Sequence, residues 1–229
     1  MIIGSGLVAR AMSGRYATDS RTLVYAAGVS NSGCSDAREF ERERERLERT
    51  LDAADAYRTV IYFGTVSVTD PDAATTHYVQ HKLRMEEIVR RHPGHLVLRL
   101  PQLAGNTPNP HTLLNFLYAR IVRGERFTLW QRARRNIIDV DDVARVVPLL
   151  VADPERRVRT LDVANPRDYA AGDIAAAMER LLGKRAIFDA VDRGGSCRVD
   201  VAAILPLFNR AGVRFDDGYL ERVLRNYYG

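Results

Sequence analysis

The sequence predicts an α/β protein: an open parallel sheet covered by helices on both faces, with a small, mainly C-terminal lobe attached. Two observations carry that expectation. Short apolar runs rich in β-branched and aromatic residues alternate with longer stretches of helical period, a pattern that gives parallel strands joined by crossover helices. The opening segment IIGSGLVARA then sets Gly4, Gly6 and Ala9 at a strand-to-helix turn in G-x-G-x-x-G/A spacing.

The elements follow in chain order. After the brief strand at 2–3 and a helix over about 7–14, the strand runs are LVYAAG (23–28), TVIYFGTVSV (59–68), HLVLRLP (95–101) and TLDVANP (160–166). Between and after them lie helices at about 36–56, 75–92, 110–123, 141–152 and 171–182, and the tail beyond 183 reads as helical. The run REFERERERLERT at 38–50 offers opposite charges at i,i+3, Glu41 with Arg44, Arg42 with Glu45 and Glu43 with Arg46, as a solvated helix does. On this basis 1–101, completed by about 136–166, forms the sheet domain, and 102–135 with 167–229 forms the lobe.

Composition narrows the function classes. At 229 residues and 46% hydrophobic content the chain can bury a sizeable core. No run approaches the ~20 apolar residues of a membrane span. The N-terminus has no basic leader region and glycines break its apolar run, so neither a signal peptide nor a membrane association is expected. Cys34 and Cys197 have no ligand spacing, which points away from a metal and towards a reducing cytoplasm. The net charge of +5 and the clusters RRH (90–92) and RARR (132–135) come without a nucleic-acid motif, and an anionic small substrate explains them equally.

Three motifs carry chemistry. Glycines at 4 and 6 permit a tight turn and let backbone N–H groups approach a pyrophosphate at a helix N-terminus. No acidic residue follows on a second strand about twenty positions on, so the adenosine side of such a site is abbreviated. In YVQHK, Tyr78 and Lys82 stand four apart and share a helix face. Of 34 basic residues only Lys82 and Lys184 are lysine, so position 82 reads as a place where a compact ammonium is needed and a guanidinium does not serve. Beside an ammonium a phenol moves towards a useful acid/base pKa, and Thr65, at the end of its strand, can hydrogen-bond the same substrate oxygen. Each residue also has an ordinary structural reading, Thr65 as a strand residue and Tyr78 as a half-buried aromatic. His77 and His81 read as helix-surface residues, Arg132 and Arg134 as surface charge, and Trp130 with Tyr227 and Tyr228 as packing.

Taken in order, GSGLVA, YAAG, YFGTVSV, YVQHK, LRLPQLAG and RRNIIDVDDVA resemble the extended short-chain dehydrogenase/reductases, the NAD(P)-dependent epimerase/dehydratase family acting on nucleotide sugars. The resemblance implies a Rossmann-like doubly wound parallel sheet with a substrate lobe, and NADP or NAD as cofactor. It implies Thr65, Tyr78 and Lys82 as catalytic residues. Cofactor contacts fall at Gly4, Gly6, Leu7, Val8, Ala26, Ala27, Gly28, Tyr78, Lys82 and Pro101, substrate contacts at Thr65, Gln102 and Arg135, the last on the nucleotide diphosphate. No metal is implied.

Departures from the family pattern are specific. The second and third strands with their helix are missing, as in some short sugar 4-ketoreductases, and Gly64, Thr69 and Gln102 replace a usual Ser, Tyr and Asn. Family 4,6-dehydratases carry an Asp-Glu pair after the catalytic Thr, where this chain has Val66 and Ser67. Elimination thus lacks its acid and base. The expectation is a cytoplasmic oxidoreductase of polysaccharide or natural-product biosynthesis, a 4-ketoreductase or a 4-epimerase, with a non-catalytic dinucleotide sensor or scaffold as the reading from another class. The resemblance also implies a homodimer pairing helices 36–56 and 75–92.

Overall fold

Side-chain alternation builds the sheet in this computed structural model, which describes residues 1–153 and 159–229. Positions 154–158 of the stretch 136–166 thus lie outside the described residues. The first half of the chain gives β1 (Ile2–Ile3), α1 (Leu7–Tyr16), β2 (Thr22–Tyr25), α2 (Ala37–Asp52), β3 (Thr59–Thr65), α3 (His77–Val89) and β4 (His95–Leu100). The second half gives β5 (Gln102–Ala104), α4 (Leu113–Arg123), β6 (Phe127–Trp130), β7 (Arg134–Asp139), α5 (Val140–Ala152), β8 (Thr160–Asp162), β9 (Asp168–Ala170), α6 (Ala171–Leu182), β10 (Phe188–Val191), α7 (Leu205–Arg210) and α8 (Tyr219–Tyr228).

Strands β1, β2, β3, β4 and β8 form one parallel sheet in that spatial order. Val24, Ile61, Phe63, Leu96 and Leu98 point to one face, against Met12 and Tyr16 of α1 and Val143, Val146 and Val147 of α5. Their neighbours Tyr25, Tyr62 and Val97 point to the other, against Leu47 of α2 and Met85 and Ile88 of α3. Both faces are covered, as expected of a buried parallel sheet.

The topology has one unusual step. From β1 to β2 and from β2 to β3 the chain moves across the sheet in the same direction, yet α1 covers one face and α2 the other. Two such crossovers have opposite hands, so one departs from the right-handed rule. Divergence of α1 and α2 to opposite faces opens a crevice beyond the C-terminal ends of β1 and β2, where ligands of open α/β sheets bind.

A second core joins Leu114, Leu117 and Ile121 of α4, Phe127 and Leu129 of β6, Ile174 and Met178 of α6, and Leu220, Val223 and Leu224 of α8. Leu207 and Phe208 of α7 pack instead with α5 in the first core. The tail beyond 183 is not wholly helical: β10 lies parallel to β6, Phe188 opposite Phe127 and Val191 opposite Trp130. The expected strand 59–68 also ends early, at Thr65, because the Thr65 hydroxyl accepts the Ser67 N–H (3.1 Å) and turns 66–69 into a single 3-10 turn. Buried Asn165 and Asn136 clasp β7 to the loop after β8, through Asn165 N–H to Asn136 Oδ1 (3.0 Å) and Asn136 Nδ2 to Asn165 O (2.6 Å).

The charged helix departs from its expected surface character. Asp36 caps it, accepting the Arg38 N–H at 2.8 Å, and Arg44 pairs with both Glu41 and Glu48. Neither Arg42 with Glu45 nor Glu43 with Arg46 pairs; Glu43 is only 4% exposed. Of the apolar residues on the two helices expected to pair in a homodimer, Leu47, Val79, Met85, Ile88 and Val89 are buried within the protomer, and Phe40, Leu51 and Leu83 remain half-buried. No helix among the described residues is long and apolar enough to cross a membrane.

Candidate active site

The glycine turn is fixed by sterics. Gly4 has φ +124°, and a Cβ there would lie 2.3 Å from the Ala26 carbonyl oxygen, so no other residue fits. Gly6 caps α1 without a side-chain partner, the first turn of α1 has no acid, and the space a Cβ of Gly6 would fill is open. This helix end offers unpaired N–H groups and a positive dipole to the crevice.

Next to it, β2 continues into Ala26, whose N–H reaches the Ile3 carbonyl (2.8 Å), and then Ala27 and Gly28. A Cβ on Gly28 would meet Lys82 Nζ at 2.4 Å and Glu43 Oε1 at 2.8 Å. Side-chain ammonium and loop backbone are thus packed in direct contact.

Thr65 ends β3, and Thr76 starts α3 by accepting the Val79 N–H at 3.3 Å. That cap places Tyr78 in the first turn and Lys82 one turn later, both buried, at 8% and 3% exposure. Lys82 Nζ lies 5.9 Å from the Tyr78 ring centre, and the Thr65 hydroxyl neighbours the phenol. Burial raises the Tyr78 pKa; the Lys82 charge and the neighbouring Thr65 hydroxyl lower it, and the Glu43 charge opposes them. In the protein alone burial prevails, and the phenol stays protonated.

The surprise is what surrounds Lys82. Its ammonium donates to Glu43 Oε1 (3.2 Å) and to Tyr62 Oη (3.3 Å), and Tyr62 in turn donates to Glu43 (3.2 Å). Glu43 Oε2 accepts the Val29 N–H (2.7 Å) and pairs with His81 Nε2 (2.9 Å). His81 is therefore no surface residue: it is 7% exposed and stacks on Phe40, ring centres 4.5 Å apart. His77 is exposed, as expected. Burial drives the Glu43 carboxyl up, but Lys82, the His81 hydrogen bond and the Val29 N–H outweigh it and hold the pKa at about 2.

A second buried carboxylate explains Gly64. Glu86, with no exposed surface, receives Arg99 on both oxygens (2.9 and 2.8 Å) and Arg90 (2.8 Å). A Cβ on Gly64 would stand 2.7 Å from Glu86 Oε1, so the carboxylate occupies the room a serine would need.

One cavity of about 690 Å³ is lined by every residue expected in the site. Gly4, Gly6, Leu7 and Val8 of the first turn, Ala26, Ala27 and Gly28 after β2, Thr65 at the end of β3, Tyr78 and Lys82 of α3, Pro101 and Gln102 after β4, and Arg135 of β7 all contribute to its lining. Arg135 is held by the Arg134 and Gly195 carbonyls (2.8 and 3.2 Å). Trp130 is not packing: it is 45% exposed and lines the cavity, because the alternation of β6 buries Phe127 and Leu129 and turns Trp130 outward. Arg134 is exposed as expected but lines the cavity too, whereas Arg132 pairs with Asp192 outside it. Tyr227 and Tyr228 do pack, bonded to Asp139 (2.6 Å) and Asn115 (2.6 Å). Cys197 also reaches the cavity, but burial and Asp70 push its thiol up to about 11, away from nucleophilic use.

These residues fit a nicotinamide dinucleotide in one half. The open space at Gly6 and the uncapped α1 suit a pyrophosphate, and the buried Tyr78 beyond suits the redox end.

Residues 21–172 match the profile of the NAD dependent epimerase/dehydratase family. Among curated proteins none matches the sequence significantly. Solved structures share the fold. A UDP-glucuronic acid 4-epimerase from Bacillus cereus, in complex with UDP-glucuronic acid and NAD, superposes with TM-score 0.72 at 15% identity, covering 90% of this chain and 74% of that one. RMD from Pseudomonas aeruginosa, complexed with NADPH, gives 0.72 at 15% identity, covering 98% and 95%. A dTDP-glucose 4,6-dehydratase from Bacillus anthracis, in complex with NAD, gives 0.66 at 14%, covering 90% and 72%.

Proposed function

The chain belongs to the NAD dependent epimerase/dehydratase family, and on that premise we propose that it is a nucleotide-sugar 4-ketoreductase with Thr65, Tyr78 and Lys82 as its catalytic residues. Supporting this reading is one observation: those three side chains and the uncapped N-terminus of α1 share a single cavity. Gly4, Gly6, Leu7 and Val8 would hold the pyrophosphate of NADP or NAD, and Ala26, Ala27, Gly28 and Pro101 the flanking walls. When bound, the cofactor supplies the hydride.

Everything else is the protein's work. Thr65, whose hydroxyl oxygen accepts the Ser67 N–H, has its hydrogen free to donate to the substrate carbonyl oxygen. Tyr78, protonated by virtue of burial, delivers the proton to that oxygen as the carbon accepts hydride. Lys82 stabilises the phenolate left behind. On the substrate side, Gln102 faces the sugar, Arg135 binds the diphosphate through its planar fork and exposed Trp130 offers a face to the base. The lobe of 102–135 and 167–229 would thus serve the nucleotide part.

Two features favour reduction over the other family reactions. Val66 and Ser67 follow Thr65, with no acid and base there for elimination, and the sheet ends at β1, which favours a cofactor that exchanges. Epimerisation, which keeps its cofactor through the cycle, is the second reading. A screen of UDP-, GDP- and dTDP-4-keto sugars with NADPH and NADH, read at 340 nm, tests the proposal. Tightly bound NAD in the purified protein with interconversion of 4-epimers would replace it by epimerisation; cofactor binding with no turnover of any sugar would leave the sensor. A cytoplasmic setting, a role in polysaccharide biosynthesis and a homodimer through α2 and α3 belong to the same proposal. The dimer is read by sedimentation equilibrium, where a single species at the 25.7 kDa chain mass would remove it.

A further inference from the structure

Glu43 belongs to none of the motifs that define the site, yet it is the most heavily engaged side chain behind it. All four of its hydrogen bonds go to elements that line or carry the catalytic groups: the Val29 N–H on the loop after β2, Tyr62 on β3, and His81 and Lys82 on α3. The two side chains are almost wholly buried, so water does not screen the pair. Of the three hydrogens on the Lys82 ammonium, Glu43 and Tyr62 take two, which leaves one for the cavity.

Given the reading that Tyr78 and Lys82 carry the chemistry, we infer that Glu43 is a positioning residue for the reaction: from α2 it fixes the Lys82 ammonium at the back of the cavity and offsets its charge at Tyr78. The helix that carries Glu43 thereby sets how far the lysine can favour the phenolate. A surface ion pair would do neither, since a solvated ammonium chooses its own rotamer and is screened. The charged and titratable groups facing this carboxylate are Lys82 and His81 from α3, Tyr62 from β3, Tyr25 from β2 and, on α2 itself, Arg46 beside Tyr25. Only Lys82 and Glu43 also act on Tyr78 with opposite sign.

The test separates charge from shape. Tyrosines labelled with ¹³C at Cζ are titrated by NMR in the wild type, Glu43→Gln and Glu43→Asp, the Tyr78 signal being identified by its loss in Tyr78→Phe. Removing the negative charge should move the Tyr78 midpoint down by about one pH unit or more in Glu43→Gln, while Glu43→Asp, which keeps the charge, shifts it by less. In parallel, kcat of Glu43→Asp with NADPH and the 4-keto sugar fastest in the screen above should fall about ten-fold or more, since the shorter acid no longer holds the ammonium in place. A Tyr78 midpoint unmoved in Glu43→Gln, with only stability lowered, overturns the proposal. Should neither variant fold, the wild type decides: with two lysines in the chain, ¹⁵N labelling gives two ammonium signals, and a Lys82 signal as fast-exchanging as that of exposed Lys184 overturns it. An active Tyr78→Phe would refute the catalytic reading itself and leave both NMR results standing.

Discussion

At the scale of single residues, the site distinguishes groups by what their neighbours allow. Tyr78→Phe removes only the proposed proton donor, so kcat should drop by at least ~10²-fold while the dissociation constant of NADPH stays within two-fold of wild type, checked by stopped-flow and fluorescence titration. Retention of a tenth of the activity would remove Tyr78 from the mechanism. Lys82→Arg keeps the charge but must seat a planar fork where Nζ already touches Gly28, at 2.4 Å from where a Cβ would be, and must share Glu43 with Tyr62. Turnover should fall nearly as far as in Lys82→Ala, and near-normal turnover would show that any cation serves. Gly64→Ser restores the residue more usual in the family, but it drives a side chain into Glu86, which Arg99 and Arg90 prevent from swinging away. The variant should lose about 1–3 kcal/mol in urea unfolding. A neutral result would mean that the Glu86 cluster is softer than its hydrogen bonds suggest.

At the scale of elements, α2 shows what the sequence disclosed and what it hid. Its existence was plain, and so was its apolar stripe of Phe40, Leu47 and Leu51, but the stripe has a gap between 40 and 47 that Glu43 fills. Amid alternating Glu and Arg, one buried carboxylate has no compositional mark; only its place on the stripe reveals it. His81 was hidden for the same reason, since its partner stands 38 residues away. Strands β6 and β10 escaped because each is short, β6 half-exposed and β10 mostly exposed, and they gain stability by pairing across the chain, which no local pattern records. In contrast, the glycine turn and the Tyr78–Lys82 pair were legible as local features, because a strand-to-helix turn and an i,i+4 helix spacing are written in adjacent residues. Burial of Glu43 also has a consequence for the docking of α2. Its pKa falls from 4.5 to about 2 on folding, so the stability it contributes is present above pH 4.5 and is lost as pH drops towards 2. Between pH 6 and pH 2.5 the unfolding free energy of the wild type should fall by on the order of 2 kcal/mol more than that of Glu43→Gln. Parallel curves in urea titrations at the two pH values would show that Glu43 has the same affinity for protons in both states.

At the scale of the whole molecule, the sheet stops where a dinucleotide fold ordinarily continues. Strand β1 is an edge, and α1 returns directly to β2 through Ala17–Arg21 instead of leading to a further strand. The acid that would hold an adenosine ribose has no counterpart. Asp19 is the sole carboxylate between Gly6 and Thr22, it lies beyond the far end of α1 from the cavity, and its Oδ1 accepts the Arg21 and Thr22 N–H groups (2.7 and 3.2 Å). By contrast the end proposed for the pyrophosphate and nicotinamide has an uncapped helix end, a glycine turn held against Ala26 and a buried Tyr78. Affinity should therefore be concentrated in the nicotinamide half. Reduced nicotinamide mononucleotide, which lacks the adenosine and one phosphate, should bind within about ten-fold of NADH, because groups that meet little protein contribute no more than about 1.4 kcal/mol. Isothermal titration with NADPH, NADH and the mononucleotide decides it. A mononucleotide more than about 10³-fold weaker would place strong adenosine contacts on a surface other than the β1 edge. Comparable affinities would mean that the abridged sheet has given up grip on the adenosine end and, with it, the basis for retaining a cofactor through many turnovers, as reduction by an exchanging cofactor requires.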